Sequence, residues 1–475
     1  MLQRLRACSG TRALAILFLL CALPTGLGLA LLTPMNMFSD EPAHIARADG
    51  LRYGGILGVP APGAVGAGRT GVIVDTAIYN ILFTQEAIAA YPDKPVPEAA
   101  RRQAEAVPWD SRKVWCPTQM VEYFPVFYVP GALGLLAGQA LGLTPLHTVY
   151  LGRVAMLLGY VAIGTAAIAL ARFGAVLIFA VLTLPGAINL GSSYNQDGLM
   201  IASCALAAGL LTRGTGRSWY AGLAVLIAVV SAKTPYAALL LFCLPPLCAA
   251  RLGRRAGITL LAAVLPGLWL LHTLHNGFIP YTRAPYHPGP LWPGARDIWL
   301  SNVVPGGNLR VLRVHPSQIF ILPLITLKAF WWATWPLILG GVASGNVRVP
   351  GWEYPGLIIA LAAAALGSAL AGAPPGRRGV DAGLAGLALF GAFMGMELAL
   401  YVTSTGAGLP YIEGVSARYF LPLLPFFIFL LPHLPLGRLP RPGQGWFGLP
   451  AAAMAAANIC ALPGYIFHLF RMPWP

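Results

Sequence analysis

The stretch FSDEPAHIARADG, residues 38–50, concentrates ionisable side chains in a chain where only 10% of residues are charged. Asp40, Glu41 and His44 follow one another closely, and each could serve as a base, an acid or a metal ligand. The metalloprotease signature HExxH needs His at its first position, where this chain has Asp40. Pro42 suits a first helical turn in which Asp40, or the serine before it, is the N-cap. One of the two acids is therefore expected to serve the structure.

Further polar side chains stand at the ends of later apolar runs. They are candidates for substrate binding, because charges at the edge of the hydrocarbon region are costly and are usually paired or functional. Each also has a structural explanation: long cations can snorkel to the interface, Asp197 can cap a helix, and Arg418 can pair with Glu413 or another acid. The set comprises Arg153, Asn195, Asp197, Lys233, Tyr236, Arg418 and Tyr419.

A carboxylate that faces cations at a membrane surface suits chemistry on a phosphate-linked lipid. The carboxylate would deprotonate an incoming hydroxyl group. Lysine and arginine would bind the phosphate and stabilise the negative charge that develops on it as it leaves. This interpretation requires Asp40 or Glu41 to lie on the same face of the membrane as Lys233 and Arg418.

The composition predicts that membrane-spanning helices position these groups. The chain of 475 residues is 57% hydrophobic, and apolar runs long enough to cross a bilayer recur from end to end. The alternating strands of a transmembrane barrel are absent from the sequence. Arginines fill the short loops between apolar runs, so the net charge of +15 reflects topology and not a nucleic-acid partner. Seven cysteines without a CxxC pair or metal spacing indicate neither a disulfide framework nor a zinc site.

The arginine pattern predicts an all-α polytopic membrane protein, a single membrane domain over residues 1–475, with a cytoplasmic N-terminus. Residues 34–123 and 276–353 are expected to form extracytoplasmic loops. Two apolar segments that are not counted among the predicted spans, 123–143 and 320–342, are interpreted as interfacial or re-entrant helices on the outer face. If both cross the membrane, the total is thirteen spans. The eleven predicted spans are 13–33, 150–171, 174–190, 198–212, 219–232, 236–250, 256–275, 354–372, 384–405, 418–433 and 446–468.

Six blocks of the sequence occur in the order typical of one family of bacterial membrane proteins. They are SDEPAH, YFPVFYVPGALGLLAGQALGL, YLGRVAMLLGY, LPGAINLGSSYNQDGLM, AKTPYAALLLFCLP and ARYFLPLLPF. Over about residues 35–435 the chain resembles domain-of-unknown-function family 2142. It departs from the family pattern at Ser39, where a proline is expected, and in KAFWWATWP, where a more glycine-rich block is usual.

The resemblance implies a branch of the GT-C superfamily of integral-membrane glycosyltransferases. Those enzymes take a sugar from a polyprenyl phosphate carrier and transfer it outside the cytoplasmic membrane, usually with inversion. They place a catalytic acid in the first external loop. By this resemblance Asp40 is the catalytic base, Glu41 is the second choice, and Lys233 and Arg418 are the phosphate ligands.

The resemblance also implies the remaining roles and partners. Tyr236 and Tyr419 would line the lipid or sugar site, and His44 would orient the carboxylate or bind the acceptor. The two leftover apolar segments match the juxtamembrane helices of the GT-C architecture. The expected partners are a polyprenyl-phosphate-linked sugar donor, a saccharide or lipid acceptor and membrane lipids in the bacterial inner membrane. No cofactor is specified, and a role for a divalent metal stays open.

Two other functions compete with glycosyl transfer. A transporter or flippase for a lipid-linked saccharide would need ionisable groups at mid-membrane, and Glu397 is the candidate within a span. A non-catalytic assembly subunit would need no chemistry. The predicted cytoplasmic loops contain no Gly-rich nucleotide-binding motif, which favours a lipid-linked donor over a nucleotide sugar.

Overall fold

The chain is mostly helical, with a few short strands in the connections. Parts of the two predicted outer loops, residues 62–69, 83–95 and 278–281, lie outside the described residues. The computed structural model describes residues 2–61, 70–82, 96–214, 216–248, 251–277, 282–371, 378–433 and 444–471.

Helices are numbered along the chain. The α-helices are α1 Leu2–Leu32, α2 Glu41–Leu51, α3 Thr76–Ile81, α4 Glu98–Glu105, α5 Val129–Ala140, α6 Pro145–Leu170, α7 Ala175–Leu182, α8 Pro185–Gly191, α9 Gln196–Leu211, α10 Arg217–Ala232, α11 Leu252–His272, α12 Pro305–Val314, α13 Gln318–Gly340, α14 Glu353–Leu370, α15 Gly379–Thr403 and α16 Leu449–Phe470. Shorter 3₁₀ segments include Pro125–Tyr128, Thr234–Cys243, Ala417–Tyr419 and Leu421–Phe429.

Within the described residues, seven helices are long and apolar enough to cross a membrane. This confirms a polytopic membrane protein but does not bear out the count of eleven to thirteen spans. Six of the seven coincide with predicted spans, and the seventh is α13. The seven are Gly10–Leu32, Pro145–Leu170, Leu252–His275, Gln318–Gly340, Glu353–Leu370, Gly379–Thr403 and Trp446–Phe470.

The other five predicted spans are short or irregular for identifiable reasons. Pro185 divides 174–190 into α7 and α8, because proline cannot continue the hydrogen-bond ladder of a helix. α9 and α10 have 16 residues each. Residues 234–243 and most of 417–433 adopt the tighter 3₁₀ conformation. At about 2 Å of rise per residue, such a segment covers more distance than an α-helix of equal length.

The first predicted outer loop contains a small sheet that the sequence analysis did not anticipate. Strands β1 Val59–Pro60, β2 Thr70–Asp75 and β3 Lys113–Pro117 pair antiparallel in that order. Asp49 of α2 accepts a hydrogen bond from the Asp75 backbone N–H at 2.7 Å and pairs with Arg52 at 2.6 Å. These contacts attach α2, and with it the DEPAH stretch, to the sheet.

The two leftover apolar segments differ in length. Segment 123–143 folds as Pro125–Tyr128 and α5, and the 12 residues of α5 are too few to cross a bilayer as a helix. Segment 320–342 forms most of α13, a continuous helix of 23 residues that is long enough to cross. An interfacial or re-entrant position for either segment stays a prediction.

The helices pack around one large apolar core. α1 packs against α6 and α16, and α6 packs in turn against α5 and α9. Gly134 of α5 and Gly152 of α6 allow those helices to approach closely, since a Cβ on Gly134 would lie 2.6 Å from the Gly152 Cα. The carboxyl end of α1 and the amino ends of α2, α6 and α9 consequently lie near one another.

Candidate functional site

Asp40 stands at the amino end of α2, and its side chain does not cap that helix. It occupies the N-cap position in a left-handed backbone conformation, φ 53°, and its carboxylate makes no capping hydrogen bond. This conformation is uncommon for residues other than glycine, although Asp adopts it more readily than most. The expectation that one acid caps α2 is therefore met by the position of Asp40 but not by its side chain. The carboxylate is half exposed and available for other contacts.

Glu41 has the opposite environment. Both its oxygens accept hydrogen bonds from Arg153 at 2.7 Å, and the two side chains are completely buried. Arg153 also donates to the backbone carbonyls of Ala30, Thr33 and Pro34. These contacts join the end of α1, the start of α2 and the middle of α6. All the donors of Arg153 and both oxygens of Glu41 are thus engaged in holding helices together.

Arg418 joins two acids that are far apart in the sequence. Its Nη2 donates to the Asp40 carboxylate at 2.6 Å, although the two residues are 378 positions apart. Its Nε lies 3.4 Å from the Asp197 carboxylate. Asp197 pairs in turn with the Lys233 ammonium at 2.5 Å. The result is an alternating row of charges, Asp40–Arg418–Asp197–Lys233, which we call the charge row.

The amino end of α9 places Asp197 in the charge row. Asn195 is the N-cap, and its side-chain oxygen accepts the Asp197 backbone N–H at 2.9 Å. The expected cap of this helix was Asp197, and the structure corrects this assignment. Capping by Asn195 leaves the Asp197 carboxylate free to bind the two cations. The Asn195 amide also donates to the Ser39 carbonyl at 3.3 Å, so it connects α9 to the residue before Asp40.

Lys233 lies where α10 ends, because Pro235 follows it and prevents the helix from continuing. Its ammonium lies 4.4 Å from the centre of the Tyr419 ring and 5.6 Å from that of Tyr123. Tyr236 donates its hydroxyl to the Tyr419 backbone carbonyl at 2.7 Å. Tyr236 therefore fixes the segment that carries Arg418 and Tyr419.

Glu413 is not the partner of Arg418. It pairs with Arg283 at 2.6 Å, so of the two expected alternatives for Arg418, Glu413 or another acid, the second is correct. The physical reason is competition between sites. The two acids of the charge row lie closer to the Arg418 guanidinium, and Arg283 comes from a distant loop to neutralise Glu413.

The charge row and burial together determine the protonation of Asp40 and His44 in the DEPAH stretch. Partial burial opposes ionisation of Asp40, but the Arg418 guanidinium outweighs it and holds the pKa of the carboxyl below its ordinary value. Burial lowers the pKa of His44 to about 3, so its imidazole is neutral. His44 Nδ1 shares a hydrogen bond with the Tyr128 hydroxyl at 2.7 Å. At neutral pH Asp40 is therefore a carboxylate, and His44 beside the charge row is a neutral imidazole.

Arg418 retains unused binding capacity. Its side chain is only 15% exposed, yet Nε and Nη1 have no hydrogen-bond acceptor among the residues that the structure describes. The ion-pair contact of Nε with Asp197 does not meet hydrogen-bond geometry. Buried donors of this kind are costly unless a ligand or water satisfies them. They make Arg418 the strongest candidate for binding an anion.

A cavity of about 200 Å³ begins beside the charge row and runs between α10, α11 and α15. Lys233 and Tyr419 line its polar end. The sequence analysis missed Tyr123 and the walls from α11 and α15, although Met396, Ala399, Leu400 and Thr403 follow helical spacing. Its remaining lining is largely apolar and includes Pro235, Leu270, Leu274, Met396, Ala399 and Leu400.

Comparison with known protein families identifies the family of this chain. Residues 12–427 match the family described as predicted membrane protein (DUF2142). The chain belongs to this family. The matched region contains every residue of the DUF2142 charge row and ends before α16. Comparison with curated proteins and with solved structures finds no match.

The described part of this DUF2142 protein contains no group of three or more His, Cys, Asp or Glu side chains suited to a metal ion. Asp40 and Asp197 are both paired with cations. A requirement for a divalent metal therefore stays a matter for direct measurement.

Proposed function

We propose that this DUF2142 protein is an integral-membrane glycosyltransferase that transfers a sugar from a polyprenyl phosphate to an acceptor hydroxyl outside the cytoplasm. One observation carries the proposal: the buried Arg418 guanidinium, with unused donors, stands between the carboxylates of Asp40 and Asp197 and close to Lys233. A base and an anion site are thereby adjacent, as transfer from a phosphate carrier requires.

The cavity supports an amphipathic donor. Its polar end carries the Lys233 ammonium, and its walls are mainly apolar. A sugar phosphate would bind at Lys233 and Arg418, and the first isoprene units would lie along α11 and α15. Tyr419, which lies next to both cations, would contact the sugar or the lipid, and Tyr236 would keep it in place.

The proposed reaction is a single displacement. Asp40 takes the proton from the acceptor hydroxyl as its oxygen forms a bond to the anomeric carbon of the sugar. The bond between that carbon and the phosphate oxygen breaks, and its electron pair leaves on the polyprenyl phosphate. Lys233 and Arg418 stabilise the added negative charge. Attack from the opposite side inverts the anomeric centre.

Donor binding would activate the base. Without a ligand, Arg418 lowers the pKa of Asp40 and weakens it as a proton acceptor. A phosphate that binds the guanidinium competes for its donors and adds negative charge nearby. Both effects raise the pKa of Asp40 toward the range in which a carboxylate accepts a proton more readily. Asp40 would thus become an effective base only when the donor is bound.

The neighbouring residues support this geometry without taking part in the displacement. Asn195 holds Ser39 against α9, and the Glu41–Arg153 pair fixes the start of α2. His44, neutral and bonded to Tyr128, would orient the Asp40 carboxylate or contact the acceptor. A bacterial inner-membrane location with this site on the outer face is part of the proposal.

Transport of a lipid-linked saccharide is the second candidate, and Glu397 is the observation that favours it. Glu397 lies within α15, is 2% exposed, and its Oε2 has no hydrogen-bond partner among the described residues. It stands six residues, about 9 Å, before the end of α15, between Met396 and Ala399, which line the cavity. That depth suits a group near the site better than one at mid-membrane.

The decisive experiment uses purified Asp40→Asn protein with a synthetic polyprenyl-phosphate sugar. We expect sugar transfer to slow by about 10²- to 10⁴-fold, the usual contribution of a general base, while the donor still binds. Asp110→Asn is the matched control, because it removes a carboxylate that pairs with Arg112 elsewhere in the same loop. Undiminished transfer by Asp40→Asn would exclude Asp40 as the base. Uptake of the saccharide into vesicles without a covalent product would favour the transporter.

A further inference from the structure

A second cavity, of about 110 Å³, lies at the other end of α10 from Lys233. α10 has 16 residues, so the two ends are about 24 Å apart. Trp219 and Tyr220 of α10 line the cavity together with Arg251, Arg254 and Arg255 of the α11 region. The proposed function assigns no role to these residues. The volume exceeds severalfold the roughly 10–15 Å³ that one water requires.

The cavity has a large uncompensated positive charge. Arg251 and Arg254 are exposed, and neither has a carboxylate within 4.0 Å in the described part of the chain. Arg255 is buried and donates to the carbonyls of Pro245 and Gly214, which are neutral groups. Asp381, which contacts the same loop, is occupied by the backbone N–H groups of Leu247 and Arg378. Among the described residues, these three guanidinium groups therefore have no carboxylate within 4.0 Å.

The helix ends increase this potential. Gly216 is the N-cap of α10 and Arg251 is the N-cap of α11, and both residues line the cavity. Neither N-cap has a side-chain hydrogen bond, so the first backbone N–H groups are not satisfied by a cap. The positive ends of two helix dipoles thus add to the arginines.

The surroundings indicate a ligand in the membrane. Trp219 donates its indole N–H to the Cys243 carbonyl at 2.8 Å, and Tyr220 is 48% exposed beside it. Such rings prefer the headgroup level of a bilayer. α11, which continues from the cavity, exposes Leu260, Leu261 and Val264 along its length. An acyl chain could therefore follow α11 while its headgroup stays at the arginines.

We propose that this cavity binds the phosphate group of an anionic ligand, and that the ligand is a phospholipid with a net negative headgroup. Arg251 and Arg254 would bind the phosphate oxygens through charge-assisted hydrogen bonds. Arg255 would hold the loop and add charge from beneath. The site lies at the membrane face opposite the charge row and does not depend on the proposed transfer reaction.

The test uses full-length protein in detergent and measures the thermal shift on adding phosphatidylglycerol, phosphatidylcholine or inorganic phosphate, with retained lipid identified by native mass spectrometry. Wild-type protein should be stabilised by phosphatidylglycerol and not by phosphatidylcholine. Arg251→Gln/Arg254→Gln should weaken the apparent phosphatidylglycerol affinity by at least about tenfold, as expected for two lost charged hydrogen bonds.

Arg12→Gln/Arg172→Gln is the matched control, because it removes two exposed arginines from the same end of the bundle. It should bind phosphatidylglycerol as wild type does. An arginine-dependent response to inorganic phosphate equal to that of the lipid would keep the phosphate site but assign it a soluble ligand. Equal phosphatidylglycerol binding by wild type and the Arg251/Arg254 variant would overturn the proposal. Arg254→Gln alone, at an exposed position, provides the same comparison if the double variant does not fold.

Discussion

Asp40 and Glu41 are adjacent in the chain, but the fold gives their carboxylates different partners. Asp40 is half exposed and pairs with Arg418. Glu41 is completely buried against Arg153. The difference arises because Asp40 precedes the first turn of α2, whereas Glu41 points back toward α1 and α6. Under the proposed function, one acid removes a proton and the other supports the structure.

At this residue scale we predict that Glu41→Gln is the more destabilising change. It leaves Arg153 buried without a counter-charge, which typically costs about 3–5 kcal/mol of folding free energy. Asp40→Asn removes an ion pair that is open to solvent, and its effect should stay below about 1 kcal/mol. Thermal unfolding of the two purified variants in the same detergent measures both effects. Equal unfolding midpoints for the two variants would show that the buried Glu41–Arg153 pair does not stabilise the fold as proposed.

His44 predicts a dependence of stability on pH. Its pKa is about 3 in the fold, against an ordinary value of 6.5, so below pH 6.5 the unfolded chain binds a proton that the folded protein does not. This group therefore destabilises the fold as the pH falls from about 6.5 toward 3. From this difference in pKa, proton linkage predicts that the free energy of unfolding falls by about 2 kcal/mol between pH 7 and pH 5. Unfolding of wild type and His44→Gln at both pH values isolates this contribution, and parallel losses would contradict it.

At the scale of elements, the walls of the cavity come from α11 and α15, and the polar end comes from the break after α10. At this break the Lys233 ammonium lies 4.4 Å from the centre of the Tyr419 ring. Asn195 has a comparable effect at α9, since it caps the helix and leaves Asp197 to the cations. Helix ends thus determine where the charges of the site lie.

We predict that filling the apolar part of the cavity discriminates between donors by lipid length. Leu400→Trp places a large ring between α11 and α15, so it should raise the KM for a long polyprenyl phosphate more than the KM for a short analogue. Leu387→Trp, at a position 57% exposed on the same helix, is the control and should affect neither donor. The comparison requires steady-state transfer rates with both donors. A uniform loss for both lengths would mean that the lipid does not enter this cavity.

At the scale of the whole molecule, the chain brings together four charges from positions 40, 197, 233 and 418, and separates them from the arginine cavity by the length of α10. Because the charge row and the arginine cavity lie at opposite ends of the molecule, we predict that the protein has one fixed orientation in the membrane. We expect Ser111→Cys, exposed in the first predicted outer loop, to react with a membrane-impermeant maleimide in intact cells. Cys248, exposed near the arginine cavity, should react only after permeabilisation. Mass spectrometry of the labelled peptides gives both results, and the reverse pattern would invert the topology.

The sequence by itself determined the properties that depend on composition and local order. Apolar run lengths indicated a polytopic helical membrane protein, and the order of six blocks indicated its family, which the match over residues 12–427 confirms. The same local information identified Asp40, Asp197, Lys233 and Arg418 as unusual, because charges beside apolar runs are conspicuous in sequence. Of its eleven predicted spans, six are long apolar α-helices and five are shorter or 3₁₀ segments among the described residues, since hydropathy does not distinguish these cases.

Only the tertiary structure decided which charges pair. Arg418 meets Asp40 and Asp197 and not Glu413, and Arg153 engages Glu41, over separations of more than a hundred residues. The small outer sheet and the cavity between α11 and α15 arise in the same way. The physical reason is that ion pairing and packing depend on distances in space, which are fixed by the sum of all helix contacts. No local segment contains that information, so the role of each acid followed from the fold.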